Sequence, residues 1–372
     1  MPRGKTFPKL LLLCSSLLAC LLPCTCYCKA KEKDGADVKG MFVFGSSLVD
    51  NGNNNFVQNS VAKADYSPYG IDFPLGPSGR FTNGKNVIDL LSDRLKLPAL
   101  IPAFFDPSTN GSRIMHGIDY ASGGSGILDK TGSFAGHVIS MNQQIESFKT
   151  VTLPELEAQL GCGSRESLPH YLFVVGAGGN DYTLNYFLAR TPISLQLFTA
   201  NLTTALSSQL QTLYHLGGRK FVLMSVYPLG CSPMATAIRP IGNGCIRALN
   251  FAALLFNFHM KKLVDTIKPK MPGADLVYVN AYRIVQDIIQ NPVSKGFSDA
   301  SNACCEVVSR VEGGSGILCK RGGWACANRN DHVFFDGLHP TEAVNHVIAN
   351  KAYASDDPDE VYPINVKQLA QI

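Results

Sequence analysis

Charge is scarce in this chain, and an excess of one sign is scarcer still. Only 17% of the 372 residues are charged and the formal net charge is +4. Arg3, Lys5 and Lys9 stand in the first 28 residues without an acid, so the remainder sets 30 basic residues against 29 acidic ones. That balance offers phosphate no basic face, which removes nucleic acid from the expected partners. Disorder is excluded from the other side, because 45% of the residues are hydrophobic and 9% aromatic, ample for a core.

No uninterrupted apolar run is long enough to cross a bilayer, which takes roughly 20 residues. The stretch Leu10 to Leu22 has 13, and with Arg3, Lys5 and Lys9 before it and Pro23 and small residues after it, it has the order of a secretory signal. The expectation is a leader over residues 1–28, a single domain over 29–372, a secreted protein in the extracellular space or cell wall, and no stable membrane anchor. Of the 12 cysteines, Cys14, Cys20, Cys24, Cys26 and Cys28 would leave with the leader. Seven remain, so in an oxidising compartment at least one is expected to be a free thiol. Cys231 and Cys245 bracket a loop rich in proline and glycine, and closing it by a disulfide would contribute about 3 kcal/mol; the other pairings stay open. The sequons at Asn110 (NGS) and Asn201 (NLT) are glycosylation candidates.

Several chemical signatures are missing as well. The G-x-S-x-G elbow of the α/β-hydrolases occurs nowhere. Asp50 opens a polar run, NGNNN, that lacks the glycine and glutamate of a calcium loop. GRFTNGKN has the spacing of a phosphate-binding loop but carries Asn86 where Ser or Thr is needed, and it follows a Pro-rich loop rather than a buried strand. His339, Glu342 and His346 would share a helical face, yet match no usual zinc-hydrolase spacing. No metal and no cofactor is therefore expected. His116, His137, His170, His215, His259 and His332 have no catalytic neighbours in sequence.

What is present is an alternation of short β-rich runs with longer helical patterns, which predicts a parallel sheet covered by helices on both faces. The expected strands are Gly40 to Phe44, Ile114 to Tyr120, Tyr171 to Val175, Lys220 to Val226 and Asp275 to Asn280. Helices are expected near Val87 to Leu97, Met141 to Leu160, Ile193 to Leu216 and Ile246 to Ile267, and after Pro340. GGSGIL occurs at Gly123 and again at Gly313, and its differing flanks make it two glycine-rich turns rather than a repeat.

Polar residues follow the strands: Gly45, Ser46 and Ser47 the first, Gly123 and Gly124 the second, Gly178, Gly179, Asn180 and Asp181 the third. In an open parallel sheet these carboxyl ends share the edge where ligands bind. A serine hydroxyl, a glycine N–H and an asparagine amide converging there are the parts of a nucleophile with an oxyanion hole. The base is sought in FFDGLHPTEAVNH, where Asp336 precedes His339 by three residues and can orient its ring toward Ser47. Pro340 and Glu342 suit the first and third positions of a helix, which places His339 at its positive end, where neutral imidazole is favoured.

The block FVFGSSLVDNGNNNF, continued by GRFTNGKN, DYASGGSGIL, GGNDY, YPLGC and FDGLHPTEAVN, resembles the plant GDSL-type esterase/lipases of the SGNH hydrolase superfamily. The resemblance spans nearly the whole chain after the leader. It implies a three-layer, flavodoxin-like α/β/α domain and hydrolysis of carboxylic esters, often of lipids, through an acyl-enzyme. It implies Ser47 as nucleophile, His339 as base and Asp336 as its orienter, with the Ser47 and Gly124 N–H groups and the Asn180 side chain as the oxyanion hole. Two positions depart from the family pattern. Ser46 stands in place of the acid of the GDSL tetrapeptide, and Asp119 stands where Asn is frequent; neither replaces a group just named. Fatty-acyl esters are the first expectation for substrate and acylated wall polysaccharides the second. An extracellular acyltransferase, and a catalytically silent cell-wall or lipid-binding protein, are the alternative readings.

Overall fold

Four apolar runs form the centre of the sheet because helices cover both of its faces, so their residues need not alternate with polar ones. In the computed structural model, which describes residues 38–133, 136–160, 164–237 and 244–372, β1 (Gly40–Gly45), β3 (Tyr171–Gly176) and β4 (Lys220–Met224) are buried at every position, and β5 (Asp275–Val279) at all but the first. With β2 (Gly117–Asp119) at one edge and β8 (Val361–Tyr362) at the other, the order is β2-β1-β3-β4-β5-β8, and only the β5–β8 pair is antiparallel. The expected leader 1–28 and Cys162 lie outside the described residues.

The crossovers supply the outer layers of a three-layer α/β/α architecture. Helices α1 (Val87–Arg94), α6 (Ala281–Gln290) and α7 (Glu342–Ala354) pack together, and so do α2 (Met141–Ser147), α4 (Leu195–His215) and α5 (Arg247–Thr266). A π-helical turn over Phe148–Thr152 joins α2 to α3 (Leu153–Leu160), so the single helix expected over 141–160 has an irregular middle. Phe42, Phe44, Phe148 and Phe173 stack between sheet and helices, with ring centroids 4.9 to 6.4 Å apart, within the range of favourable aromatic pairs.

Several elements differ from expectation. The strand expected from Ile114 begins only at Gly117, after a 3-10 turn over Gly111–His116. The backbones cross so closely there that a Cβ at Gly117 would stand 1.8 Å from the Met41 carbonyl oxygen. Helix α6 was not anticipated, although Ile284, Val285 and Ile288 form its buried stripe and Asn280 caps it. Beyond the main sheet, β6 (Asp299–Ala303) and β7 (His332–Phe334) pair by themselves. Around them Cys304–Cys326 and Cys305–Cys319 form disulfides, as Cys231–Cys245 does elsewhere in the fold. Finally, His339 is not at the tip of a helix: α7 starts at Glu342 with Thr341 as N-cap. Pro340 instead pairs with Phe334, and the His339 carbonyl accepts the Phe335 N–H at 2.8 Å. The backbone of 339–340 is held by β7, so the helix-dipole argument does not apply to His339 as expected.

Candidate active site

Ser47 follows β1 on a turn that the chain makes tightly. A Cβ at Gly45 would lie 2.2 Å from the Gly176 carbonyl oxygen, and Gly45 has φ +148°, a conformation that favours glycine. The side chain of Gln144 clamps this turn, accepting from Gly45 N–H at 2.8 Å and donating to Gly45 O at 2.9 Å. The serine hydroxyl so presented lies 2.7 Å from His339 Nε2. His339 Nδ1 in turn lies 2.8 and 3.0 Å from the two Asp336 oxygens. An ionised carboxylate only accepts, so this network assigns the proton to Nδ1 and leaves Nε2 to accept from Ser47.

Asp336 is fully buried and satisfied on both oxygens. Oδ1 accepts the backbone N–H of Leu338 at 2.8 Å and of His339 at 2.6 Å, and Oδ2 accepts the hydroxyl of Tyr69 at 2.6 Å. Burial, and then the charge of Asp336 beside it, push the Tyr69 phenol well above its ordinary pKa, which keeps it a donor. The same hydroxyl accepts the Cys319 N–H at 3.0 Å, so it links the Cys305–Cys319 disulfide to Asp336. The ring of Phe81 covers the His339 ring at 4.9 Å, and Tyr227 donates to the Leu338 carbonyl at 2.9 Å.

Gly124 and Asn180 face the same space. Ser47, Gly124, Asn180 and His339 line one cleft of about 220 Å³ whose other walls include Val61, Leu184, Leu188, Ile317 and Leu318. Among the described residues neither Ser47 N–H nor Gly124 N–H donates to a protein acceptor. Asn180 Nδ2 donates one hydrogen to Ser125 O at 2.9 Å, which leaves its second hydrogen for another acceptor. A second cavity, of about 50 Å³, lies behind Ser46 and Ser47 among Val49, Val226, Leu229 and Ile348. Ser47, Gly124, Asn180 and His339 thus meet at one opening, with Asp336 buried against His339 Nδ1.

Buried carboxylates hold the loops that carry these groups. Asp181 accepts Ile127 N–H, Leu128 N–H and the Thr131 hydroxyl at 2.7 to 3.0 Å; burial outweighs these bonds and raises it to about 6. Asp50 accepts Gly52 N–H, Asn53 N–H and Gly123 N–H, and burial likewise raises it to about 6. Asp119 uses both oxygens, one on Ala121 N–H and one on Asn51 N–H, which a lone amide could not do; burial, and then Asp50, raise it well above the usual range. The run NGNNN is therefore an internal brace: Asn53 and Asn54 donate to the carbonyls of 119, 121, 62 and 123.

The rejected motifs have structural roles of their own. In GRFTNGKN, Arg80 makes a buried bidentate pair with Asp89 at 2.6 and 2.8 Å, and Asn86 caps α1 in a reciprocal capping box. In the His339–Glu342–His346 set, both ring nitrogens of His339 are engaged as described and Glu342 accepts the Lys85 N–H at 3.1 Å. Cys304, Cys326 and His332 stand close enough to hold a metal, but the two cysteines form a disulfide. Ser46 donates its N–H to Gly176 O at 3.0 Å and is buried, with its hydroxyl 3.5 Å from the same oxygen. Asn110 and Asn201 are exposed. Tyr69, Phe81, Gln144 and Tyr227 escaped the sequence reading: none belongs to a local pattern with the residue it supports, and the Tyr69–Asp336 separation is 267 positions.

Residues 41–352 match the family described as GDSL-like Lipase/Acylhydrolase. The chain is 38% identical to the protein called GDSL esterase/lipase At1g29670 of Arabidopsis thaliana, over 95% of this chain and 97% of that one. It is 42% identical to GDSL esterase/lipase At1g71250 of the same plant, over 90% and 89%. GDSL esterase/lipase 7, also from Arabidopsis thaliana, is 36% identical over 89% and 92%.

Proposed function

The chain belongs to the GDSL-like lipase/acylhydrolase family and is a carboxylic ester hydrolase, and on that premise we propose that it works through an acyl-enzyme on Ser47. The observation that carries this reading is the continuous line from Ser47 Oγ to His339 Nε2 at 2.7 Å and from His339 Nδ1 to Asp336 at 2.8 Å. His339 takes the serine proton as Oγ attacks the ester carbonyl, and Asp336 stabilises the imidazolium that forms. The negative charge that develops on the carbonyl oxygen meets Ser47 N–H, Gly124 N–H and Asn180 Nδ2. Collapse expels the alcohol with the proton from His339 and leaves the acyl group on Ser47. Water, activated by the same imidazole, then releases the acid. No step calls for a cofactor.

The walls of the cleft bear on substrate. Leu184, Leu188, Ile317 and Leu318 are apolar, which suits the acyl chain of a lipid or other acyl ester. Three disulfides among the described residues, two exposed sequons and the leader pattern support a secreted, glycosylated protein. Among the described residues no helix is long and apolar enough to cross a membrane. Residues 29–372 would then act as one domain after removal of 1–28. A stopped-flow assay with p-nitrophenyl butyrate tests the covalent step. A burst of nitrophenol equal to the enzyme present, with a butyryl adduct on Ser47 by mass spectrometry, is expected; turnover with no adduct and no burst under acid quench, at saturating substrate and with several leaving groups, would contradict it.

A further inference from the structure

A second and wider cleft, of about 810 Å³, lies next to the Ser47 cleft, and Ser315 lines both. The divide between them is a thin ridge: Gly316 faces the wide cleft and Ile317 the Ser47 cleft. That ridge sits on the loop carrying Asp336 and His339. Gly337 N–H donates to Ile317 O at 2.8 Å, and a Cβ at Gly337 would stand 1.8 Å from Gly316 O. A molecule lying across the ridge would therefore reach from the wide cleft to the serine hydroxyl.

The wide cleft holds the chain's one tryptophan, Trp324, and it is 61% exposed. An indole loses more than most side chains by facing water. Its backbone is nevertheless fixed: Trp324 O accepts the Glu306 N–H at 3.0 Å, and the disulfide-bonded Cys319 and Cys326 flank it in sequence. Polar groups line the same cleft. Asn302 and Arg310 are exposed, Arg310 makes no ion pair among the described residues, and Glu306 is paired with Lys320. An exposed aromatic face in one cleft with amide, carboxylate and guanidinium groups matches the two-sided chemistry of a pyranose. The polarised C–H groups of one sugar face meet the negative face of the indole, and the hydroxyls at the ring edge meet the polar side chains.

We propose that this cleft is a saccharide-binding subsite and that the esters cleaved at Ser47 are carried on sugars. The second half rests on the Ser47 ester-hydrolase reading; the first does not. The sugar lies along Trp324 and its esterified oxygen crosses the ridge. When the ester C–O bond breaks, the sugar leaves as its hydroxyl with the proton held by His339, and water completes the acid.

Because Trp324 is unique, the intrinsic emission of the intact protein reports on the subsite alone. Xylohexaose, cellohexaose and trigalacturonate are titrated into the signal-free protein, with glycerol as control. A saturable emission change with at least one oligosaccharide and none with glycerol is expected. By calorimetry Trp324→Ala should weaken that binding about tenfold, the scale of one aromatic contact, and Trp324→Phe should recover part of it. For an acetylated form of the bound oligosaccharide, kcat/KM should fall by a similar factor in Trp324→Ala while p-nitrophenyl butyrate hydrolysis is unchanged. No saturable response to any of the three, or binding that Trp324→Ala leaves intact, overturns the subsite. Binding without any ester hydrolysis would uphold the subsite and defeat the Ser47 reading, so the two failures are distinct.

Discussion

Asn180 ties Ser125 O through Nδ2 at 2.9 Å and lines the cleft it shares with Ser47 and Gly124, and in the proposed mechanism its second amide hydrogen meets the oxyanion. Its replacement by Ala should lower kcat by about 10² to 10³, as loss of an oxyanion donor does, with a smaller change in KM. Steady-state kinetics on a short ester check this, and an unchanged kcat in a folded Asn180→Ala protein removes the residue from the site. Ser46 is the contrasting case. It faces Gly176 O rather than His339, and the proposed serine, imidazole, carboxylate and oxyanion donors do not include it. Ser46→Asp should therefore change kcat/KM by about tenfold or less, equivalent to roughly 1.4 kcal/mol; a gain of several orders of magnitude would mean that GSSL marks a silenced site. At this scale the residues that meet at the cleft were legible, because Ser47, Gly124, Asn180 and His339 each sit near a glycine or a strand end. Their supports were not. Tyr69 and Gln144 act on partners 267 and 99 positions away, and only the fold brings them close.

The strands and turns that carry the site are joined by buried carboxylates, and this gives the elements a pH dependence. Asp181 connects the loop 127–131 to the turn after β3. Its pKa is raised from 3.8 to about 6, chiefly by burial. Between those values the folded state keeps a proton that the unfolded chain has released, so the contribution of this group to stability is full below the lower value and is lost as pH rises through the upper. In wild type, melting temperature should carry that loss across this window. Asp181→Asn should show a flatter profile there, whatever its absolute stability, and calorimetric scans at a series of pH values check it. Parallel slopes in the two proteins would contradict the assignment. Elements buried on both faces, β1, β3, β4 and β5, were legible as continuous apolar runs. The short β6, β7 and β8 carry too few residues for a period, and the Pro340 signal for a helix start was overridden by the pairing of 334 with 340.

At the scale of the whole molecule, the turns after β1, β2 and β3 bring residues 47, 124 and 180 to the segment 336–339 that follows β7, and Ser315, Ile317 and Leu318 of the disulfide-closed lobe line the same cleft. The architecture was legible from the alternation of apolar strands and helices, while the lobe was not, since disulfide connectivity is not written in cysteine spacing. The central claim is that this convergence makes Ser47 a nucleophile, and it depends on the fold rather than on any single residue. Treating the signal-free protein with a fluorophosphonate and mapping the adduct by mass spectrometry tests that most directly. One adduct is expected, on Ser47, lost in Ser47→Ala and strongly slowed in His339→Ala. Correctly folded protein that takes no label, or that is labelled on another residue with Ser47 untouched, would contradict it.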